Sequence, residues 1–433
     1  MRPRTGLWLA IAVGVAARLA LVLAFPRMPL VSDERDYVEA ADALLRGEQD
    51  PWLLFHPPLY TAFCAAIRAL AGPSDDAIRL AQCLLEGGTI LGVWLLARRA
   101  FDERVALVAA WIWALHPEFI SYSHYLWSEC VALALLVWAL HALLMLRERP
   151  GTARAVWAGC AWGAASLIKP YNLYLLPLLL AGLVCWPGLA DRARAARLAA
   201  VALGVCVLAV LPWSLHVSAE KGRPVVICTV AELSLETGTN RLPPPQFDWG
   251  TTSTTSGKQI RSDPDRRKGG VLAFIAENPG LFAGRAAEKL GFLWSPNSYL
   301  LRCLYGHEKY GPPRAMPAGA RLAAAGATLL ASAILTVGLV VGFCFSKPGV
   351  FHVLAALYSL AYMGMITLTP SFSRYRLMLM VFAAVFSAAW WAGRVSFADL
   401  EHRQRPLVLA LVCGFGLVVV WAVRLPPVLE QVW

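Results

Sequence analysis

The 433-residue chain is 58% hydrophobic and only 15% charged, with a mean hydropathy of +0.55; a soluble chain of this length carries about 25% charged residues. Apolar runs long enough to cross a bilayer recur from Leu7 to Val423, which argues against a soluble enzyme built round one core. The net charge of +11 is scattered over span ends, which is a topology signal and not a nucleic-acid stripe.

Taken in order, the first run continues through Ala24-Phe25-Pro26 without a small-x-small site, so it reads as an anchor and not as a cleaved signal. The predicted spans are Leu7–Phe25, Ile78–Ala97, Val105–Ile120, Cys130–Leu146, Ala155–Ile168, Leu173–Trp186, Leu198–Val217, Ala318–Phe345, Val350–Leu368, Leu377–Gly393 and Leu407–Val423. The connectors ARRAFDER, RERPGTAR, DRARAAR and GRVSFADLEHRQR are rich in arginine and alternate in span order. Cytoplasmic loops concentrate Lys and Arg, so these four belong inside together with the N-terminal MRPR. Counting Pro57–Ala71 as a span would place ARRAFDER outside. That stretch is short and holds Arg68, so it reads as a helix lying at the outer interface. The expectation is an all-α polytopic protein with about eleven transmembrane helices, multi-pass in an inner (plasma) membrane.

On this topology the outer face collects Ser32–His56, His116–Glu129, Lys169-Pro170, a long loop from about Ser218 to Pro317, and Ser371–Arg376. The chain divides into an N-terminal module (1–217) with an acidic first outer loop (26–77), the outer loop (218–317) and C-terminal spans (318–433). Within the outer loop, Thr237–Gly270 is rich in Pro, Gly, Ser and Thr and reads as flexible. Val271–Trp294 has helical apolar spacing around an Asn278-Pro279-Gly280 break, predicting two short amphipathic helices. The ten cysteines lack metal spacing, and Cys228 and Cys303 could meet in the outer loop.

Asp33-Glu34 with Tyr37, then FHPPLY, HPEFISYSHYLWSE, SLIKPYN and SRYRLMLM form an ordered set from about Leu7 to Gly393. This set resembles the polyprenyl-phosphate-sugar glycosyltransferases of family 39, the protein O-mannosyltransferase and aminoarabinose-transferase group, whose fold is called GT-C. The resemblance implies a lipid-phosphate sugar donor, transfer outside the cytoplasm with inversion, and an acidic base in the first outer loop. By position Asp33 takes that role with Glu34 as its partner, and Glu129 matches the acid before the fourth span. Some members carry a lysine before the Pro-Pro corner; this chain has His56.

The chemistry makes the same demands. An acceptor hydroxyl or amine attacking an anomeric carbon must lose a proton, so one carboxylate has to be near it. The leaving phosphate is already a competent anion, so no general acid is needed, unlike in an inverting glycosidase. Fixed positive charge is needed instead, and Lys169, Arg285, Lys289, Arg374 and Arg376 are the outer-side candidates. Tyr37, His56 and Tyr60 complete the predicted binding set. Each has a plainer reading: helix-dipole acids for Asp33, Glu34 and Glu129, membrane anchors for Lys169 and the two arginines, a loop hydrogen bond for His56. Glu118 is a weaker acid candidate. Trp111, Trp113 and Trp127 could stack on a sugar. Asp33, Glu34 and Glu129 could hold one divalent cation, though no spacing demands it. Arg18 and Glu86 lie inside spans, where charges pair or line polar cavities; Arg18 could reach up towards Asp33, and the role of Glu86 stays open. The expected partners are a polyprenyl-phosphate sugar and a glycan, lipid or protein acceptor. The competing class is a transporter or lipid flippase, which would show repeated halves and broken mid-membrane helices; no repeat is visible.

Overall fold

A computed structural model describes residues 3–24, 30, 33–239, 270–296, 298–305, 317–396 and 404–430. Most of the predicted flexible stretch and of the GRVSFADLEHRQR connector lies outside the described residues. The first half contains α1 (Pro3–Ala24), α2 (Asp33–Arg46), α3 (Pro51–Phe55), α4 (Pro58–Ala71), α5 (Asp75–Ala100), α6 (Glu103–Leu115), α7 (Pro117–Ser121), α8 (Glu129–Glu148), α9 (Thr152–Ile168), α10 (Tyr171–Cys185) and α11 (Arg192–Lys221). There follow α12 (Val230–Gly238), α13 (Gly270–Glu277), α14 (Pro279–Leu293) and α15 (Tyr299–Tyr305). The last part holds α16 (Ala318–Phe345), α17 (Val350–Leu368), a 3-10 turn (Ser373–Arg376), α18 (Leu377–Trp391) and α19 (Gln404–Glu430). The predicted break at Asn278-Pro279 separates α13 from α14.

Local chemistry sets the boundaries. Ser74 Oγ accepts from Ala77 N–H to start α5, Asp102 caps α6 through Arg104 and Val105, and Asp191 caps α11 through Arg194. Gly222, at φ +63°, ends α11 in the left-handed conformation that a side chain disfavours. The predicted span Val105–Ile120 is interrupted: α6 stops at Leu115 because Pro117 bars a helical His116, and α7 restarts with proline in its first turn.

Among the described residues seven helices are long and apolar enough to cross a membrane: α1, α5, α8, α11, α16, α17 and α19. The other four predicted spans form α6, α9, α10 and α18, of 13, 17, 15 and 15 residues. Two of these are deeply packed. Every α18 residue from Leu377 to Ala389 is buried, and Gly338 and Gly342 of α16 lie so close that an added Cβ would clash with Ser387 Oγ and the Phe386 carbonyl. Gly159 and Gly163 likewise let α9 approach α11 closely, an added Cβ meeting the Ala202 carbonyl at 2.5 Å and Ala209 Cβ at 2.7 Å.

The passes run between two ends. Late in α1, Arg18 donates to the carbonyls of Trp113 and Ala114 at the end of α6 and pairs with Glu86 in the first half of α5. The start of α5 bonds the loop between α7 and α8. Helices α2 to α4 therefore leave and return at the same end; α4, at 14 residues and about 21 Å, is too short to cross. The opposite end gathers the arginine-rich connectors: Arg99 pairs with Glu148, Arg394 Nε lies 2.5 Å from Asp102 Oδ2, and Arg147 donates to Pro187 O at 2.8 Å.

Candidate active site

Four charged side chains from distant stretches meet at the end away from those connectors. Arg374 Nη2 lies 2.5 Å from Asp33 Oδ2, across 341 residues of sequence. Glu129 Oε1 accepts from Lys169 Nζ at 3.1 Å, and Arg374 Nε stands 3.8 Å from the same oxygen, too far for a hydrogen bond. Asp33 opens α2 and Glu129 opens α8, where a helix N-terminus favours a carboxylate. Lys169 is held extended by the following Pro170 at the α9–α10 corner, and Asn172 Nδ2 closes that corner on Ala165 O at 2.9 Å. The 3-10 turn that carries Arg374 is tied by Ser371 Oγ to Lys289 O at 2.9 Å and by Tyr362 Oη to Tyr375 O at 3.0 Å. Arg374 also lies over the Trp127 ring, 4.7 Å from its centroid.

The other predicted site residues are placed around this group. Glu34 is buried and accepts the Leu126 N–H at 2.7 Å, so it holds the α7–α8 loop against α2. Tyr37 packs edge-on to Tyr60, lies 4.6 Å from the His56 ring and donates to Ser128 Oγ at 3.4 Å. His56 Nε2 stands 3.3 Å from Asp36 Oδ2, and Tyr60 donates to Gln82 Oε1 at 2.9 Å. Arg376 faces away, to the Ser295 carbonyl and a buried cluster with His116 and Glu118. There Glu118 Oε2 accepts the Tyr299 N–H at 3.3 Å, and burial raises the Glu118 carboxyl while lowering His116 to about 3. Arg285 lies on α14 beside the Phe274 ring. On the same helix Lys289 Nζ donates to Gly238 O at 3.0 Å and Thr367 O at 2.7 Å. Trp113 stacks on Phe119 at 3.9 Å and donates to Glu86, while Trp111 is half-buried core. Arg18 pairs downward with Glu86 at 3.1 Å and does not reach Asp33. Cys228 and Cys303, both buried, are not joined in a disulfide.

Sequence reasoning missed the scaffold behind Glu129. On α5, Arg79 Nε donates to His124 O at 2.9 Å, and the Gln82 amide donates to Ser123 O at 3.1 Å and Tyr125 O at 3.0 Å. Together with Glu34 they fix the backbone from Ser123 to Leu126, just ahead of Trp127 and Glu129. The signal was present: Asp76, Arg79, Gln82 and Glu86 recur at helical spacing, one polar stripe on an otherwise apolar span.

The electrostatics favour charge retention at the centre. Burial alone would depress the Arg374 guanidinium, but Asp33 and Glu129 outweigh it and hold it well above its ordinary value. Burial and then the Asp33 charge push the Tyr37 phenol well up, so it acts as a donor and not as a base. The acids do not form a cation cage: Glu34 is committed to Leu126, and Arg374 occupies the space between Asp33 and Glu129. Among the described residues no three His, Cys, Asp or Glu cluster at metal distance. Arg374 thus stands where an ion bridging Asp33 and Glu129 would sit.

The described residues thus form a helical multi-pass bundle with a carboxylate and cation cluster on the helix starts and loops of one end, as the GT-C resemblance leads one to expect. Residues 55–216 match the family model of dolichyl-phosphate-mannose-protein mannosyltransferase. No curated protein sequence matches the chain. Among solved structures, the oligosaccharyltransferase of Archaeoglobus fulgidus tethered with an acceptor peptide aligns at TM-score 0.55 and 15% identity, over 96% of this chain and 54% of that one. The AglB oligosaccharyltransferase of that organism, in complex with an inhibitory peptide and a dolichol-phosphate, aligns at TM-score 0.52 and 15% identity, over 96% and 55%. ArnT from Cupriavidus metallidurans bound to undecaprenyl phosphate aligns at TM-score 0.53 and 16% identity, over 94% and 63%. The Archaeoglobus fulgidus enzyme has also been solved with Zn and sulfate, and aligns at TM-score 0.51 and 16% identity, over 96% and 52%. The chain thus spans about half the length of the oligosaccharyltransferase and under two thirds of ArnT. At such identities the likeness establishes the fold.

Proposed function

We propose that the chain is an integral membrane glycosyltransferase that moves a sugar from a polyprenyl monophosphate carrier to an acceptor at the extracytoplasmic face. The observation that carries this reading is the Asp33–Arg374 contact beside the Glu129–Lys169 pair, two carboxylates and two cations in one small volume. The family match over residues 55–216 and solved relatives bound to dolichol-phosphate or undecaprenyl phosphate support the donor class. The arginine-rich connectors at the opposite end support a cytoplasmic N-terminus and an inner membrane setting.

In the proposed reaction the acceptor O–H or N–H attacks the anomeric carbon from the face opposite the phosphate. Asp33 takes the acceptor proton as the new bond forms. The bond from the anomeric carbon to the phosphate oxygen breaks, its electron pair leaving on the polyprenyl phosphate, so the configuration inverts. Arg374 and Lys169 stabilise the charge that grows on the departing oxygen. Glu129 orients both cations, and Glu34 holds the loop that presents it. Positive charge comes from these side chains; a divalent cation would have to take the place of Arg374.

The test is incubation of the purified protein with a panel of polyprenyl-phosphate sugars, reading release of the free lipid phosphate. Release from at least one donor, dependent on an acceptor, is expected. A protein that moves such lipids between leaflets and cleaves none of them would instead be a flippase.

A further inference from the structure

The four central charges balance. Asp33 and Glu129 are matched by Lys169 and Arg374, and all four are largely withdrawn from water, with side-chain exposures of 29, 4, 16 and 11%. A phosphate entering such a site gains little from cations whose charge is already answered, and it meets two carboxylates of its own sign. One carboxylate has to give up its cation first. Glu129 is the more deeply buried and has Lys169 bonded and Arg374 close by. Asp33 is the most exposed of the four, in the first turn of α2, and it holds the Nη2 edge of Arg374.

We infer that Asp33 occupies the phosphate subsite of Arg374 in the empty enzyme, and that donor binding proceeds by exchanging this carboxylate for the donor phosphate. The inference rests on the transferase reading and gives the same site a built-in order. With Arg374 on Asp33, the carboxylate is a poor proton acceptor and the cation is a poor phosphate ligand. Once phosphate takes the Arg374 fork, Asp33 is released from its ion pair beside the anomeric carbon. Its basicity then rises just when an acceptor proton must be removed. Without donor the base stays masked, so the site favours donor first and acceptor second. The guanidinium has support independent of Asp33, its carbon lying 4.7 Å from the Trp127 ring centroid, 5.3 Å from Phe372 and 5.6 Å from Tyr375.

This predicts an unusual sign for a substitution at the proposed base. Asp33→Asn removes the competitor, so polyprenyl monophosphate should bind about tenfold more tightly than to wild type. Affinities would be measured in lipid nanodiscs containing the full chain, with polyprenyl monophosphate as probe. In an Arg374→Ala background the gain should vanish, because no cation is left to compete for. Asp36→Asn, a nearby acid on the same helix, should leave the affinity within about twofold. If Asp33→Asn does not fold, Asp33→Ser carries the same comparison. Equal or weaker binding to Asp33→Asn, or a gain that persists without Arg374, overturns the exchange while leaving the transferase reading intact. Absence of binding to wild type and variants alike overturns both.

Discussion

A proton acceptor in this reaction must be charged, close to the sugar and within reach of a second substrate. Asp33 meets these conditions better than its neighbours: its side chain is 29% exposed, against 4% for Glu129, and Glu34 is committed to a backbone N–H. Arg374 is the matching cation, and a guanidinium can hold two phosphate oxygens at once where an ammonium holds one. Arg374→Ala should raise the donor concentration needed for half-maximal transfer about tenfold or more, and change the acceptor requirement much less; equal effects on both substrates would remove its phosphate role. Lys289 behaves differently. Burial and then Arg285 lower its pKa to about 8 from 10.5, while its two carbonyl bonds need only the two N–H groups of a neutral amine. Between those pH values the unfolded chain keeps the proton that the folded one has released, so stability rises as pH climbs from about 8 towards 10.5. Thermal melting of wild type against Lys289→Met should show this slope in wild type alone, and parallel curves would refute the assignment.

Helix starts and helix corners account for most of the site. Asp33, Glu129, Lys169 and Arg374 were all legible, because each stands beside a proline, a capping position or an apolar run. The divergence of Arg374 and Arg376 was not. In a 3-10 turn residues two apart lie about 240° apart round the axis, so one arginine reaches Asp33 while the other reaches Ser295 and the Glu118 cluster. The α5 stripe was visible as a pattern, but its partners were not, since they are backbone carbonyls some forty residues away. Lower on α5, Glu86 takes Arg18, Trp113 and Cys130 as partners and joins α1, α5, α6 and α8. Removing one member of such a buried pair leaves the other charge stranded. Arg18→Met alone should therefore cost about 3–5 kcal/mol of stability, and Arg18→Met with Glu86→Leu should recover most of it. Equal melting of the single and double variants would show that the pair is not coupled.

The alternation of spans and arginine-rich connectors was legible at the scale of the whole chain. It follows from a rule that depends on loop charge and not on packing, and the connectors do gather at one end. Pro57–Ala71, read from the sequence as interfacial, forms a helix of only 14 residues whose Arg68 is bonded to Asp42 and Asp75. What the sequence underdetermined was helix length: α6, α10 and α18, at 13, 15 and 15 residues, are shorter than a bilayer span requires. The glycine contacts that let α9 and α18 pack so closely are tertiary facts. The bundle as a whole thus serves to bring two carboxylates and two cations together from four separate stretches of chain. The claim that this meeting point transfers sugar is tested most directly by single-turnover transfer from a saturating polyprenyl-phosphate donor, with wild type and Asp33→Asn side by side. Asp33→Asn should bind the donor and transfer about a thousandfold more slowly, within the range that loss of a general base produces. Transfer by Asp33→Asn at the wild-type rate would contradict it.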